Sequence, residues 1–348
     1  KCKNILLTTF PETTTKNVGD AMISDSFVKL LNQHVDVFNF VTVFRGTDLD
    51  KLDLRYIKNI FAPGFSVVPG THPKNYKLFK DINRLKDFRF YPAGCSYQHF
   101  HPSDGSFENR LYDAKSISFL KYLNELFGPL PVRDKKIEQL MSSLSVSSIY
   151  SGDLVLFDPD LIDSPYKGIN KIESLAFSVQ HKEKYIDQSI SIIKALISAL
   201  PETKIYITFH GEENLVTDKI KQFANEYSIE CVPLSGSSQQ LDFYNSIDFH
   251  VGYRLHGHIS FLRRRKPSIL FVEDARAYGF AKTESTSLGC FQAMDGDKVS
   301  DNIEEEALAF IRKSLSSNFM EYEGLFRFID SQYYEVIEPY FSRLGKMI

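Results

Sequence analysis

Apolar positions along the chain follow two alternating rhythms. Short continuous runs, of the length of buried strands, alternate with stretches where apolar residues return every three or four positions, the spacing of a helix with one face in a core. In the first part the strand-like runs are Ile5–Thr9, Val35–Val43, Ile57–Ala62 and Phe88–Tyr91. Helical spacing covers Asp20–Gln33, where Met22, Ile23, Phe27, Leu30 and Leu31 share a face, and returns at Asn75–Lys86, Ala114–Phe127 and Lys135–Leu144. Leu154–Phe157 reads as a closing strand. Asp158–Lys171, broken by prolines, a glycine and charges, then reads as a linker.

Beyond it the alternation restarts. Strands are expected at Leu175–Val179, Lys204–Phe209, Glu230–Pro233, Phe249–Gly252 and Ser268–Val272, and helices at Tyr185–Leu200, Asp218–Tyr227, Gln239–Asn245 and Gly257–Arg264. Ile303–Leu315 is amphipathic, and Tyr322–Leu344 carries an aromatic stripe suited to packing rather than to a membrane face. The expected fold is α/β, with two Rossmann-like domains in series, 1–160 and 172–318, presenting their strand ends to a common cleft.

Composition narrows the function. A chain of 348 residues exceeds the usual single core, and 43% hydrophobic residues can fill two. A net charge of -3 gives no reason to expect nucleic acid. The four cysteines (Cys2, Cys95, Cys231, Cys290) are scattered, so a reducing cytoplasm is expected, with neither disulfides nor a metal. No apolar run approaches the roughly 18 residues of a membrane span. The apolar run at Ile5–Thr9 is too short for a signal peptide.

The richest chemistry lies between Phe249–Gly252 and Ser268–Val272. Arg254 and His256 fall where a strand ends and a helix begins, the point at which open parallel sheets bind anions. Arginine offers a fixed fork for carboxylate or phosphate, and histidine moves a proton near neutral pH. Thr13–Asp20 feeds another helix start, either a capped turn or a second anion or sugar site. His99, His101, Asp104 and Glu108 share a loop without metal-ligand spacing, which suggests an exposed active-site loop. The basic run Arg263–Lys266 reads as a solvated loop, with a phosphate or an anionic bilayer as its other possible neighbour.

Taken together, these stretches resemble the polysaccharide pyruvyl transferase family. Asn17-Val18-Gly19-Asp20 is similar to its opening Asn-x-Gly-Asp, Val132-Arg133-Asp134 to its Val-Arg-Asp, and Asp153 to the aspartate ending its first domain. Asp248 through His256, followed by Lys266-Pro267, resembles its Asp…Arg-Leu-His…Pro segment. Glu273–Phe280 falls where the family has an acidic-x-x-Lys-x-x-Gly-Phe stretch. The pattern runs in order over residues 3–290.

That resemblance implies a GT-B architecture in which the C-terminal helix, 322–348, packs back on the first domain. It implies pyruvate transfer from phosphoenolpyruvate to sugar hydroxyls of a glycan or lipid-linked oligosaccharide, forming a ketal, with no cofactor. Arg254 and His256 become the donor site, His256 the acid, and Leu255 and Gly257 donors of backbone groups. His210 and Arg276, the latter in the place of the family's lysine, join the donor side. Asn17, Gly19, Asp20, Gly94 and Arg133 fall to the acceptor side.

There are departures. The family's arginine after the second domain's first strand is absent from Phe177–Lys182, leaving His181 or Lys182 to replace it. A glycine pair is reduced to Gly94. The competing expectations are a glycosyltransferase using a nucleotide sugar on the same architecture, and a glycan-binding protein without activity. Peripheral contact with the cytoplasmic face of a membrane completes the expectation.

Overall fold

The computed structural model describes residues 3–9, 16–36, 38–108 and 111–348; Thr13–Thr15 of the loop before Asp20, and Val37 within the expected Val35–Val43 strand, lie outside them. In the first half, β1 (Asn4–Thr8), β2 (Val41–Phe44), β3 (Asn59–Pro63) and β4 (Arg89–Ala93) form a parallel sheet in the order β2-β1-β3-β4. β5 (Leu130–Val132) and β6 (Ser148–Tyr150) form a parallel pair. The pair continues the sheet through one bridge, Cys95 to Val132, where Cys95 N–H donates to Pro131 O at 2.7 Å.

The second sheet is entirely parallel. β7 (Ser174–Ser178), β8 (Lys204–Phe209), β9 (Glu230–Pro233), β10 (Phe249–Gly252), β11 (Ser268–Val272) and β12 (Cys290–Gln292) lie in the order β12-β11-β10-β7-β8-β9. This is the doubly wound order of dinucleotide-binding folds, and its direction of winding reverses between β7 and β10. The crevice that opens there is bounded by the residues after Ser178 and after Gly252. β10 and β11 are buried along their whole length, as continuous apolar strands covered by helices on both faces must be.

Motif residues explain part of this geometry. Asp248, just before β10, accepts hydrogen bonds from the Glu173 and Ser174 amides at 3.0 and 2.9 Å, tying the start of β10 to that of β7. At the other end Gly252 has φ +158°, and a side chain there would collide with Ser178. Ser178 Oγ in turn accepts from the Arg254 amide at 3.1 Å. Both ends of the β7–β10 pair are thus locked, which fixes where Arg254 emerges.

The chain's last segment returns to the first half. Its Tyr322–Gln332 and Glu338–Met347 helices are joined by a π turn, Tyr333–Ile337, so the single helix expected over Tyr322–Leu344 is interrupted. Phe341 packs edge-on against Phe27 of the Val18–Leu31 helix at 5.3 Å, and Tyr340 Oη donates to Pro92 O at 3.2 Å. The Phe341 ring is fully buried. Phe341→Ala should therefore destabilise the protein by about 3–5 kcal/mol, read by denaturant unfolding.

Several expected elements differ. Asn75–Lys86 is no α-helix, because Leu78 takes a left-handed backbone (φ +47°); only a 3₁₀ stretch, Ile82–Asp87, forms there. Leu154–Leu156 is a 3₁₀ turn rather than a strand, and the short helix expected at Gln239–Asn245 forms as a 3₁₀ helix, Ser238–Ser246. The basic run is not a solvated loop. Arg263 binds Asp158, Arg264 binds Asn245 at 2.7 Å, Arg265 binds Asp330, and Lys266 Nζ donates to three carbonyls, those of Tyr244, Asn245 and Ile247. These cations are spent on internal bonds and form no patch for a bilayer. Among the described residues, no helix is long and apolar enough to cross a membrane.

Candidate functional site

A cleft of about 760 Å³ opens at the winding reversal of the second sheet and faces the first. Its second-half wall carries Gln180, His181, His210, Arg254, Asp274 and Arg276, and its first-half wall carries Asn17, Asp20, Arg45 and Gln98. Each of these wall residues follows a strand's C-terminal end or opens the next helix, which is why one parallel fold gathers them from distant sequence.

Arg254 is the N-cap of the Leu255–Arg263 helix, so its side chain leaves at the strand end while Leu255, His256 and Gly257 supply the first turn. Its Nη2 donates to Asn17 Oδ1 at 3.0 Å across the cleft. Asn17 caps the Val18–Leu31 helix, accepting from the Gly19 amide at 3.3 Å, and the Val18 amide donates to His210 O at 2.9 Å. The Asn-x-Gly-Asp turn therefore joins the two halves at the site. Burial draws the Arg254 guanidinium down to about 10, still charged at neutral pH. Arg276 forks onto Asp274 through Nε and Nη2 at 2.9 and 2.5 Å. Burial alone would raise the Asp274 carboxyl, but the Arg276 fork holds it at about 2.

His256 lies deeper than a place at the cleft mouth. It lines a narrow recess off the cleft floor, about 20 Å³ and room for one water, shared with Asp20, Arg45, Arg133 and Arg276. Its Nε2 meets Asp153 Oδ2 at 3.3 Å, and Arg133 Nη2 meets the same oxygen at 3.2 Å. All three side chains are buried. Burial works against the Asp153 carboxylate, yet Arg133 and His256 together hold its pKa below the usual range, so it stays ionised. An ionised aspartate on one imidazole nitrogen fixes the tautomer and the orientation of the ring.

The other nitrogen, Nδ1, faces Gly19, where an added Cβ would land on the ring. Gly19→Ala must displace His256 or the helix start. We expect turnover to fall by about 10²-fold through misplacement of the imidazole, with a much smaller change in melting temperature. Equal losses in both would mean that the glycine serves only the fold.

His181 and Lys182 separate. His181 lines the cleft; its amide donates to both carboxylate oxygens of Glu273 (3.1 and 2.9 Å), and its Nδ1 contacts Oε1. Lys182 turns away and stacks its ammonium 3.7 Å above the exposed Phe100 ring. His210 lines the cleft from a buried position, with Nε2 on Tyr244 Oη at 2.6 Å. Burial, then Arg254, keep both His181 and His210 well below the normal histidine range, hence neutral.

Gly94 lies elsewhere. Its φ is +56° and it lines a separate apolar cavity with Leu154, Pro131 and Tyr340. Of the loop histidines, His99 reaches the cleft, whereas His101 pairs with Ser103 and Asp297. Among the described residues, no group of three His, Cys, Asp or Glu side chains converges as metal ligands would.

Sequence reasoning passed over Arg45, Gln98 and the Glu212-Glu213-Asn214 turn, all of which line the cleft. Their position was the available sign, since each follows a parallel strand's C-terminal end.

The family model "Polysaccharide pyruvyl transferase" matches residues 17–274, from the Asn17 cap to the Asp274 that holds Arg276. The chain belongs to the polysaccharide pyruvyl transferase family. No curated protein matches it by sequence.

Solved structures are similar in fold only. MnaA of S. aureus, solved with UDP, gives a TM-score of 0.52 at 10% identity, covering 94% of this chain and 91% of that one. The wall teichoic acid polymerase TagF gives 0.51 at 10% identity, over 100% and 89%. S. aureus TarM covers 83% of this chain at 14% identity and a TM-score of 0.46, and the chain spans only 54% of TarM's length. The shared architecture is GT-B.

Proposed function

We propose that the protein is a transferase moving pyruvate from phosphoenolpyruvate to two hydroxyls of one sugar, in a cell-surface polysaccharide or its lipid-linked precursor, as a ketal. The observation that carries this reading is the pairing of a cationic pocket with a carboxylate-backed histidine. Arg254 and Arg276 line one wall of the cleft, and the Arg133–Asp153–His256 chain lies at its floor. A nucleotide-sugar enzyme needs cations for its diphosphate but has no use for an acid aimed at carbon.

The chemistry distributes as follows. Arg254, with Arg276 beside it, holds the donor's carboxylate and phosphate. His256 delivers a proton from Nδ1 to the methylene carbon, since Nε2 is tied to Asp153. One sugar hydroxyl attacks the neighbouring carbon, phosphate leaves, and the second hydroxyl closes the ketal. Of the two hydroxyl protons, one restores His256 and the other leaves with phosphate. Asn17, Gly19 and Asp20 form the acceptor side; Gly94 does not reach the cleft. The reading carries a cytoplasmic site of action. Any membrane attachment has to come from outside Arg263–Lys266.

Differential scanning of the protein with phosphoenolpyruvate and with UDP tests the donor. At 100 times Kd a ligand adds about 2.7 kcal/mol to stability, a rise of a few degrees. Stabilisation by phosphoenolpyruvate alone is expected. Stabilisation by UDP alone would replace this reading with the glycosyltransferase one.

A further inference from the structure

Glu273 is a buried carboxyl without a fixed counter-ion. Only 2% of its surface is exposed. The hydrogen bonds described for its carboxylate oxygens all come from His181, through the backbone amide to both oxygens and through Nδ1 to Oε1. The two nearest arginines are directed elsewhere, Arg254 toward Asn17 and Arg276 toward Asp274. A carboxylate in that position shares its proton with the imidazole it touches or stands buried and unneutralised. The imidazole in turn lines the donor cleft, and with Nδ1 occupied its Nε2 is the atom left to meet a ligand.

We propose that His181 and Glu273 work as one proton-carrying pair in the donor pocket, so that the anionic donor binds only while the pair keeps its proton. The inference rests on the donor reading given above and adds a regulation of the same site. With one proton on the pair, Glu273 is neutral and donates to Nδ1, and His181 presents Nε2–H to the donor. Without it, a buried carboxylate faces an arriving phosphate through the ring. An arginine at position 181 would carry its charge at every working pH; the pair replaces that fixed cation with a switch.

The surroundings agree. Burial, and after it the Asp274 carboxylate, push the Glu273 carboxyl up to about 8, against the pull of Arg254 and Arg276. Burial and the charges of Arg254, Arg276 and Lys182 keep His181 neutral, against Asp274. His210 stands on the β8 side, and Tyr185 and Tyr253 on the elements packed behind; both phenols are raised by burial and stay neutral across the range of interest.

Donor binding favours the protonated pair, so affinity is full below the free pair's value and is lost as pH rises through it. The donor's last phosphate proton is mostly gone by pH 7, so its own titration changes little over that interval. Its Kd should weaken about tenfold between pH 7 and pH 9 in the wild type. Glu273→Gln keeps the hydrogen bond to Nδ1 but cannot ionise, so its Kd should match wild type within about threefold at pH 7 and stay level to pH 9. His181→Arg should likewise be level, because its charge is permanent.

A second arm needs no ligand. Glu273 is raised on folding, so its contribution to stability is present below the unfolded carboxylate value and is lost as pH rises through about 8. The melting temperature of Glu273→Gln relative to wild type should therefore climb from pH 5 to pH 9. A wild-type Kd that stays level from pH 7 to 9, or a fall-off retained in Glu273→Gln, overturns the proposal. So does a constant difference in melting temperature. If phosphoenolpyruvate binds at no pH while that difference climbs, the proton pair stands and the donor assignment fails. Should Glu273→Gln not fold, the His181→Arg titration against wild type decides alone.

Discussion

Arg254→Lys should lose about 10²–10³ in turnover while the protein keeps its fold. The guanidinium does two things that an ammonium cannot do at once. One Nη bonds Asn17 across the cleft, and the remaining donors of the planar fork stay free for a carboxylate or phosphate. Lysine can reach one of those partners as a point charge. The loss should appear in donor affinity as well as turnover, because the charge that remains is misplaced rather than absent. Denaturant unfolding should move by no more than about 1 kcal/mol, since the lysine stem still covers the packing surface. Turnover within a few-fold of wild type would remove Arg254 from the site, and a collapsed midpoint would make it a strut between the halves.

Most of the second half could be read from the chain. Lys204–Phe209, Glu230–Pro233, Phe249–Gly252 and Ser268–Val272 form strands with the expected bounds; Phe249–Gly252 and Ser268–Val272 are fully buried, and such parallel strands are continuous apolar runs that turn residues cut sharply. Leu130–Val132, Ser148–Tyr150 and Cys290–Gln292 escaped notice, being three residues long and too short to show a period. Asn75–Lys86 has helical spacing that the left-handed Leu78 overrides, and no local pattern announces such a residue.

The site divides in the same way. Arg254 and His256 were legible because a strand end and a helix start bracket them. The partners that define their chemistry were not. Asp153 meets His256 from 103 residues away, and Glu273 meets His181 from 92. The first pairing is made by the closing of the two halves and the second by the strand order that brings the ends of β7 and β11 to one crevice, and neither leaves a trace in spacing. His250 and His258 illustrate the converse. They sit within a few positions of His256, yet they bond Ser268 and Ser178 beneath the sheet, and burial keeps both neutral, His258 at about 3.

Those two histidines are the controls for the largest effect expected at this site. His256→Gln should retain donor binding and lose turnover by about two to four orders of magnitude, the usual worth of a positioned general acid. Glutamine keeps a hydrogen bond to Asp153 and fills much of the same space, so the loss isolates the proton. The donor of that proton must be protonated before the step and neutral after it. Asp153, ionised and buried, occupies Nε2, which leaves Nδ1, beside Gly19 at the helix start, as the nitrogen for that proton. Asp153→Asn should then cost nearly as much as His256→Gln, because the neutral amide no longer steadies the imidazolium. His250→Gln and His258→Gln should lower stability with little direct effect on the chemical step. In heavy water the wild type should place deuterium in the methyl group of the ketal, since that carbon gains one proton from exchangeable solvent by way of the ring. A His256→Gln protein that turns over at the normal rate would strip the residue of this role, and deuterium-free product would remove protonation of the methylene from the reaction altogether.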